Sequence, residues 1–131
     1  MIISQNKLPI GSFAWTDLTV NNTEQVRDFY SWVVGWKTSE VPIGDYGDYN
    51  MNSPDDNQTK AGVCHSRCVN AGLPPFWLVY ITVEDVDASA AFCHKLSAKI
   101  IVPPKKRGGL GRYCVIQDPA GAFVALYEPK K

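Results

Sequence analysis

The sequence predicts an α+β fold made of two copies of one βαβββ module, and three observations carry that expectation. Residues 77 to 97 read as a strand rich in β-branched and aromatic residues that turns, through Glu84 and Asp85, straight into an amphipathic helix. Moved back by 63 positions, this stretch sets Thr82-Val83 on Thr19-Val20 and Phe92 on Phe29, with Cys93 and Leu96 on Tyr30 and Val33. Identities held in one register across strand, turn and helix are how a duplicated supersecondary unit looks. After each helix comes the same order of three further strand signals separated by turn residues.

Element by element, a short polar leader precedes a first strand from about Phe13 to Val20. Asn22 and Gln25 form a candidate capping box, and Val26, Phe29, Tyr30, Val33 and Val34 make a helical stripe that stops at Gly35. A strand from Trp36 to Ile43, a Gly-Asp-Tyr-Gly turn, a strand near Tyr49 to Asn52, a polar hairpin from Ser53 to Thr59, and a strand from Lys60 to about Val69 complete module one, residues 8–69. Glycine and a proline pair make residues 70–76 a linker. Module two, residues 77–128, repeats the order: strand 77–84, helix 86–97, strand 99–103, loop 104–111, strand 112–117, a turn at Asp118-Pro-Ala-Gly121 and strand 122–127. The whole is expected to be one domain, 1–131.

Composition bounds the function. A chain of 131 residues buries roughly two thirds of its unfolded surface, so no disulfide or metal is needed merely to hold it together. Thirteen basic against thirteen acidic residues leave no net field to steer the chain to nucleic acid or a membrane surface. No apolar run approaches the ~20 residues of a membrane span, and the leader lacks the charged start and apolar core of a secretory signal. A cytoplasmic location is therefore expected. Cys64 and Cys68 on one strand would lie ~13 Å apart, beyond the ~7 Å limit for a bridge, and Cys93 and Cys114 fall where a cysteine acts as a small hydrophobe. Four reduced thiols are expected.

The module order, the phrase Asp28-Phe29-Tyr30 with Gly35-Trp36, and the closing Asp118-Pro119-Ala120-Gly121-Ala122 with Leu126-Tyr127 resemble the vicinal oxygen chelate superfamily. That superfamily holds glyoxalase I, extradiol dioxygenases and the fosfomycin- and bleomycin-resistance proteins. Trp15-x-Asp17-Leu18 and Trp77-x-Val79-Tyr80-x-x-Val83-x-Asp85-Val86 are most similar to its glyoxalase-like members. The resemblance implies eight strands forming a partly open, barrel-like cavity with a helix behind each sheet. Strand alternation agrees: Leu18 and Val20 oppose Trp15, Asp17 and Thr19, while Val79, Ile81 and Val83 oppose Leu78, Tyr80 and Thr82. The aliphatic faces are expected against the helices, and the mixed aromatic and polar faces toward the cavity.

The resemblance also implies a divalent metal held by His, Gln or Glu from the first and last strands of each module, acting as a Lewis acid on adjacent substrate oxygens. Here those places map to Trp15, Leu78 and Ala125, none of which can ligate, and to a fourth within residues 62–66 where only Cys64 and His65 are donors. The spacing Cys64-His65-x-x-Cys68 offers three soft donors, but side chains along a strand point to both faces. Neither metal nor cofactor is expected.

The implied cavity lining is Trp15, Asp17, Leu78, Tyr80, Tyr113, Phe123, Ala125 and Tyr127, an aromatic wall suited to a planar or cationic small molecule. The plain alternative is that these rings only fill a narrow barrel. Asp17 and His65 are weak catalytic candidates, since a buried carboxylate can orient an imidazole. Trp32, Trp36 and Phe76 read as helix-packing, core or subunit-contact residues, and His94 as a solvated surface residue. The loop Pro104 to Arg112 has glycines and cations that could cradle an anion, but it matches no phosphate-loop pattern and reads as a solvated connection. Three functions stay open: a metal-free small-molecule binding protein, a glyoxalase-like lyase or dioxygenase-related enzyme using side chains or a misaligned metal site, and an interaction module with a filled cavity. Because one barrel leaves sheet edges and aromatics uncovered, a homodimer is expected.

Overall fold

A computed structural model of the protein describes residues 8–67 and 71–130. In chain order they form β1 (Phe13–Val20), α1 (Thr23–Val34), β2 (Lys37–Ile43), β3 (Tyr46–Asn52), β4 (Thr59–His65), β5 (Trp77–Thr82), α2 (Val86–Lys95), β6 (Lys99–Lys106), β7 (Gly111–Gln117) and β8 (Phe123–Pro129). The order βαβββ therefore occurs twice, and the fold is α+β. The chain divides into two compact units: Thr16–Trp77, and Leu78 onward together with the described residues before Thr16. The leader up to Lys7, Cys68 and Val69 at the expected end of the fourth strand, and Asn70 of the linker lie outside the described residues.

In the first unit the strand order is β2-β3-β4-β1, with β1 parallel to β4 and the other pairs antiparallel. Alternation decides what each face does. Leu18, Val20, Tyr49, Met51, Ala61 and Val63 share one face and form the core, against which Val26 and Tyr30 of α1 and the rings of Trp36 and Trp77 pack. Met51 and Val63 are fully buried, each stabilising the unit by roughly 1.5–3 kcal/mol. Trp77 also donates its Nε1–H to the Tyr30 hydroxyl at 3.2 Å. The outermost strand, β2, is exposed along nearly its whole length and carries Pro42, which has no N–H to offer a stray partner.

Helix α1 stops where expected, with Gly35 in the left-handed region at φ 91° and its N–H on the Ser31 carbonyl. Its start differs from the expected capping box. Asn22 adopts φ −101°, ψ 57°, not the extended cap geometry, so its side chain meets Gln25 (3.1 Å) and caps no backbone N–H. Thr23 ties the helix to β1 instead, donating its hydroxyl to the Val20 carbonyl. The apolar stripe is also wider than the core contact. At 100° per residue Phe29 falls on the flank of the Val26–Tyr30 direction and Trp32 well away from it, while Val33 lies near that direction but on the helix's last turn; all three are exposed, Trp32 to 90%. Of the stripe Val26, Phe29, Tyr30, Val33 and Val34, only Val26 and Tyr30 pack against the core, while Trp36 is a packing residue as expected.

The second unit repeats the topology as β6-β7-β8-β5, with β5 parallel to β8. Its core joins Val86, Cys93, Cys114 and Ile116 to Val83, Ala98, Ile100, Val124 and Leu126. Asp85 caps α2 by accepting from the N–H groups of Asp87 and Ala88, and Glu128 of β8 accepts from that of Val86. The helix ends at Lys95, two residues before the expected position, because Ser97 takes φ 67°. Strand β6 runs on through Pro103 and Pro104 to Lys106, which a strand at the margin of a sheet tolerates. The expected long loop 104–111 is thus a tight hairpin, with the Leu110 N–H on the Arg107 carbonyl and the Arg107 N–H on the Gly111 carbonyl.

Cys64, Cys93 and Cys114 are buried free thiols. Among the described residues no helix is long and apolar enough to cross a membrane.

Candidate functional site

The face of the second unit turned away from α2 collects most of the residues expected to touch a ligand. Pairing sets Tyr80, Ala125 and Val115 in one row, and Tyr127, Tyr113 and Lys105 in the next, with Thr82 opposite Tyr127. Leu78 and Phe123 lie two residues before Tyr80 and Ala125 on the same face. Tyr80 and Tyr113 stand 6.1 Å apart, ring centre to ring centre. Trp15, in the same unit, is buried. Four of the eight expected residues, Tyr80, Tyr113, Ala125 and Tyr127, are therefore held in adjacent rows by strand register alone.

The residue that gives this face its character is Arg107, which the sequence placed in a solvated connection. The hairpin after β6 turns its side chain inward. Its guanidinium carbon lies 4.7 Å from the Tyr80 ring centre and 5.2 Å from that of Tyr113, and its Nη1 donates to the Tyr80 hydroxyl at 3.1 Å. The Tyr127 hydroxyl donates to the Leu110 carbonyl and so fastens the hairpin to β8. Burial pushes the Tyr127 phenol above its ordinary value, while the Arg107 charge pulls it the other way. The one signal in the sequence was the Arg-Gly-Gly-Leu-Gly run, whose glycines allow the tight turn.

Gly111 makes that turn obligatory. It sits at φ +120°, and a Cβ there would run into the Glu128 carbonyl oxygen and stand 2.9 Å from the Lys130 nitrogen.

In the first unit the register separates the two weak catalytic candidates. Asp17 pairs with Gly62 and is buried on the face away from α1, whereas His65 pairs with Val20 and points to the helix side. The expected Asp17–His65 couple does not form. His65 instead stands between two other carboxylates, Nε2 at 3.2 Å from Glu24 and Nδ1 at 3.2 Å from Asp48, with Tyr46 edge-on at 5.2 Å. Tyr49 donates to Glu24 at 3.1 Å and holds that carboxyl below its ordinary range. With both ring nitrogens engaged, the imidazole presents neither to a substrate. Asp48 escaped notice because it directly follows the phrase Gly44 to Gly47 that reads as a turn, and in the fold it lies within β3.

The divalent metal implied by resemblance is not supported by the donors present. Trp15, Leu78 and Ala125 bring no ligating atom to its three identified places. At the fourth, β4 sends Cys64 to the face of Thr19 and His65 to the opposite one. Among the described residues no group of three His, Cys, Asp or Glu is arranged to hold a metal ion.

Comparison with known proteins bears on the whole chain. Residues 12–126 match the family model described as Glyoxalase/Bleomycin resistance protein/Dioxygenase superfamily. A Mycobacterium tuberculosis protein named "Putative glyoxylase CFP32" is 30% identical over 122 residues, covering 92% of this chain and 47% of its own length. The anthracycline biosynthesis protein DnrV of Streptomyces peucetius is 30% identical over 129 residues, covering 90% of this chain and 47% of its own. The chain thus spans about half the length of these curated relatives. Among solved structures, methylmalonyl-CoA epimerase from Mycobacterium tuberculosis superposes with TM-score 0.56 at 14% identity, covering 97% of this chain and 95% of that one. The Mn(II)-bound glyoxalase from Novosphingobium aromaticivorans does so with TM-score 0.59 at 14% identity, covering 91% and 39%. At such identity these two likenesses speak for the fold alone. With the repeated βαβββ order and the family match over residues 12–126, this chain belongs to the Glyoxalase/Bleomycin resistance protein/Dioxygenase superfamily.

Proposed function

We propose that this chain is a metal-free small-molecule binding protein, acting in the cytoplasm, whose second unit holds a flat cationic or planar ligand on the tyrosine face of Tyr80, Tyr113 and Tyr127. The observation that carries this reading is Arg107. Its guanidinium, itself a flat cation, stacks over two of the three rings, so the face has the spacing and the electron-rich surface that such a ligand requires. A ligand would compete with that side chain for the rings. The lyase reading is weaker, because His65 has both nitrogens committed to carboxylates and, among the described residues, no cluster of metal donors supports Lewis-acid chemistry.

The test is titration of a panel of flat aromatic cations and their neutral isosteres, followed by intrinsic fluorescence, with EDTA present throughout. Arg107→Ala is expected to tighten cation binding at least threefold by vacating the rings. Tyr80→Ala and Tyr113→Ala are expected to weaken it. Absence of binding in both wild type and Arg107→Ala, affinity indifferent to both tyrosines, or affinity that vanishes in EDTA would each overturn the reading.

We infer also that two copies of the chain pair, through the flank of α1 that its own sheet leaves uncovered. Phe29, Trp32 and Val33, spaced i, i+3, i+4, put three large apolar side chains side by side in water, an arrangement typical of an association surface.

A further inference from the structure

On the second unit, the face of the sheet that carries α2 ends in a row of charges. Pairing sets Lys106 of β6 opposite Arg112 of β7, and Arg112 opposite Glu128 of β8, on strands about 4.8 Å apart. Like charges directly opposite each other weaken a sheet. Arg112 is relieved by Asp87, which accepts from both its Nη atoms, and the Glu128 Oε1 is held by the Val86 N–H at 3.0 Å. Lys106 gains no such relief: among the described residues neither it nor Lys130 forms an ion pair. Both lysines border an open cavity of about 380 Å³, which Arg112, Glu128 and the hairpin-tip residues Gly108 and Gly109 also line. The hairpin closes through the N–H groups of Leu110 and Arg107, so, among the described residues, those of Gly108 and Gly109 take no protein acceptor. Nothing lies within 4 Å of a Cβ placed on either glycine, which leaves their backbone open to approach. Three cations, one committed carboxylate and two spare N–H groups thus border one space.

We propose that this cavity is a binding site for a small, multiply charged oxyanion of the diphosphate or phosphate-monoester class, with Lys106 and Lys130 as the residues that draw it in. Such an anion screens Lys106 from Arg112 and supplies both lysines with the partner they lack. Gly108 sits at φ +53°, and successive N–H groups in a turn of this kind can form an anion-binding concavity. Against three cations and one carboxylate, an anion of two or more charges gains more than a singly charged carboxylate does. The glycine run lacks phosphate-loop order because here it tips a β-hairpin and does not open a helix.

The test is titration of inorganic diphosphate into isotope-labelled protein, with the Gly108 and Gly109 backbone amides followed by NMR and sodium chloride at matched ionic strength as the opposite probe. Diphosphate is expected to shift both signals saturably and to raise the melting temperature, and chloride to do neither. Lys106→Gln removes the uncompensated cation. It is expected to weaken diphosphate at least fivefold while leaving the free protein no less stable than wild type, since the opposition to Arg112 is gone. Lys130→Gln is expected to weaken binding by a similar factor, so a folding failure in one variant leaves the other decisive. No shift with diphosphate, an equal shift with chloride, or unchanged affinity in either folded variant would overturn the proposal. Capture by phosphatidylglycerol vesicles with no response to free diphosphate would overturn it too. None of these outcomes depends on whether Tyr80, Tyr113 and Tyr127 bind anything.

Discussion

Replacing Gly111 by alanine is the most direct probe of how the Arg107 hairpin is held. Two costs add. At φ +120° any residue with a Cβ is strained by about 1–3 kcal/mol. The new methyl also drives into the backbone of Glu128 and Lys130, which are fixed by β7–β8 pairing up to Gly111 opposite Pro129 and cannot yield as a side-chain tip would. Overpacking of that kind costs about 1–3 kcal/mol more. Gly111→Ala is therefore expected to lose about 2–6 kcal/mol, read in urea as a lower midpoint at unchanged slope. In a thermal scan this corresponds to a fall in Tm on the order of 10 °C. Gly109→Ala is the matched control: nothing lies within 4 Å of its added Cβ and its backbone is not left-handed, so a change within about ±0.5 kcal/mol is expected. A Gly111→Ala protein that melts within a degree of wild type would show that β7 and β8 do not approach there as described. The inward course of Arg107 would then lose its support, because its N–H is bonded to the Gly111 carbonyl.

Three further outcomes are expected. Asp85→Ala removes both side-chain caps of α2 and should cost about 1 kcal/mol by chemical denaturation, with Glu128 still holding the Val86 N–H. Burial raises the Cys114 thiol from 9.0 to about 11, so the contribution of its neutral form is complete below pH 9 and is lost as pH climbs from 9 to 11. Two units correspond to about 2–3 kcal/mol, so wild type should lose that much more stability over this window than Cys114→Ala; parallel curves for the two proteins would refute it. Trp32→Glu, at a site 90% exposed, should leave the fold intact but turn a micromolar dimer into a monomer by analytical ultracentrifugation. A wild type that sediments as a monomer at that concentration would sink the pairing itself.

The parts of the fold that sequence displayed were those fixed by local chemistry. The alternation of Leu18 and Val20 against Asp17 and Thr19 told which face meets the helix, and Gly35 marked the end of α1 because only a left-handed residue closes a helix so cheaply. What stayed hidden depends on tertiary partners. Pro104-Lys105-Lys106 reads as a loop by propensity, yet it extends β6, where a missing proline N–H is tolerated. His65 gave no hint of Glu24 and Asp48, which reach it from a helix and a strand far away in sequence. Arg107 followed a lysine pair and preceded two glycines, a composition that describes a solvated turn equally well. It is the hairpin between β6 and β7, fastened to β8 through the Tyr127 hydroxyl, that turns its guanidinium onto the tyrosines.

Duplication explains where divergence was permitted. Under the shift of 63 positions, Leu18 and Val20 correspond to Ile81 and Val83, and all four remain apolar; Val20 and Val83 are packed in the cores beneath their helices. The opposite face carries no such obligation. There Trp15 corresponds to Leu78, Asp17 to Tyr80, and Thr19 to Thr82, a change of size, charge and chemistry at two of three positions. A chain of this length does not depend on a bound metal for its core. Metal donors on that face could therefore be exchanged for other side chains without unfolding either unit, provided the helix-facing alternation was kept. Ligand recognition is thus the property free to change, and the row to question is one that alternation leaves uncommitted, Tyr80 with Ala125 and Val115.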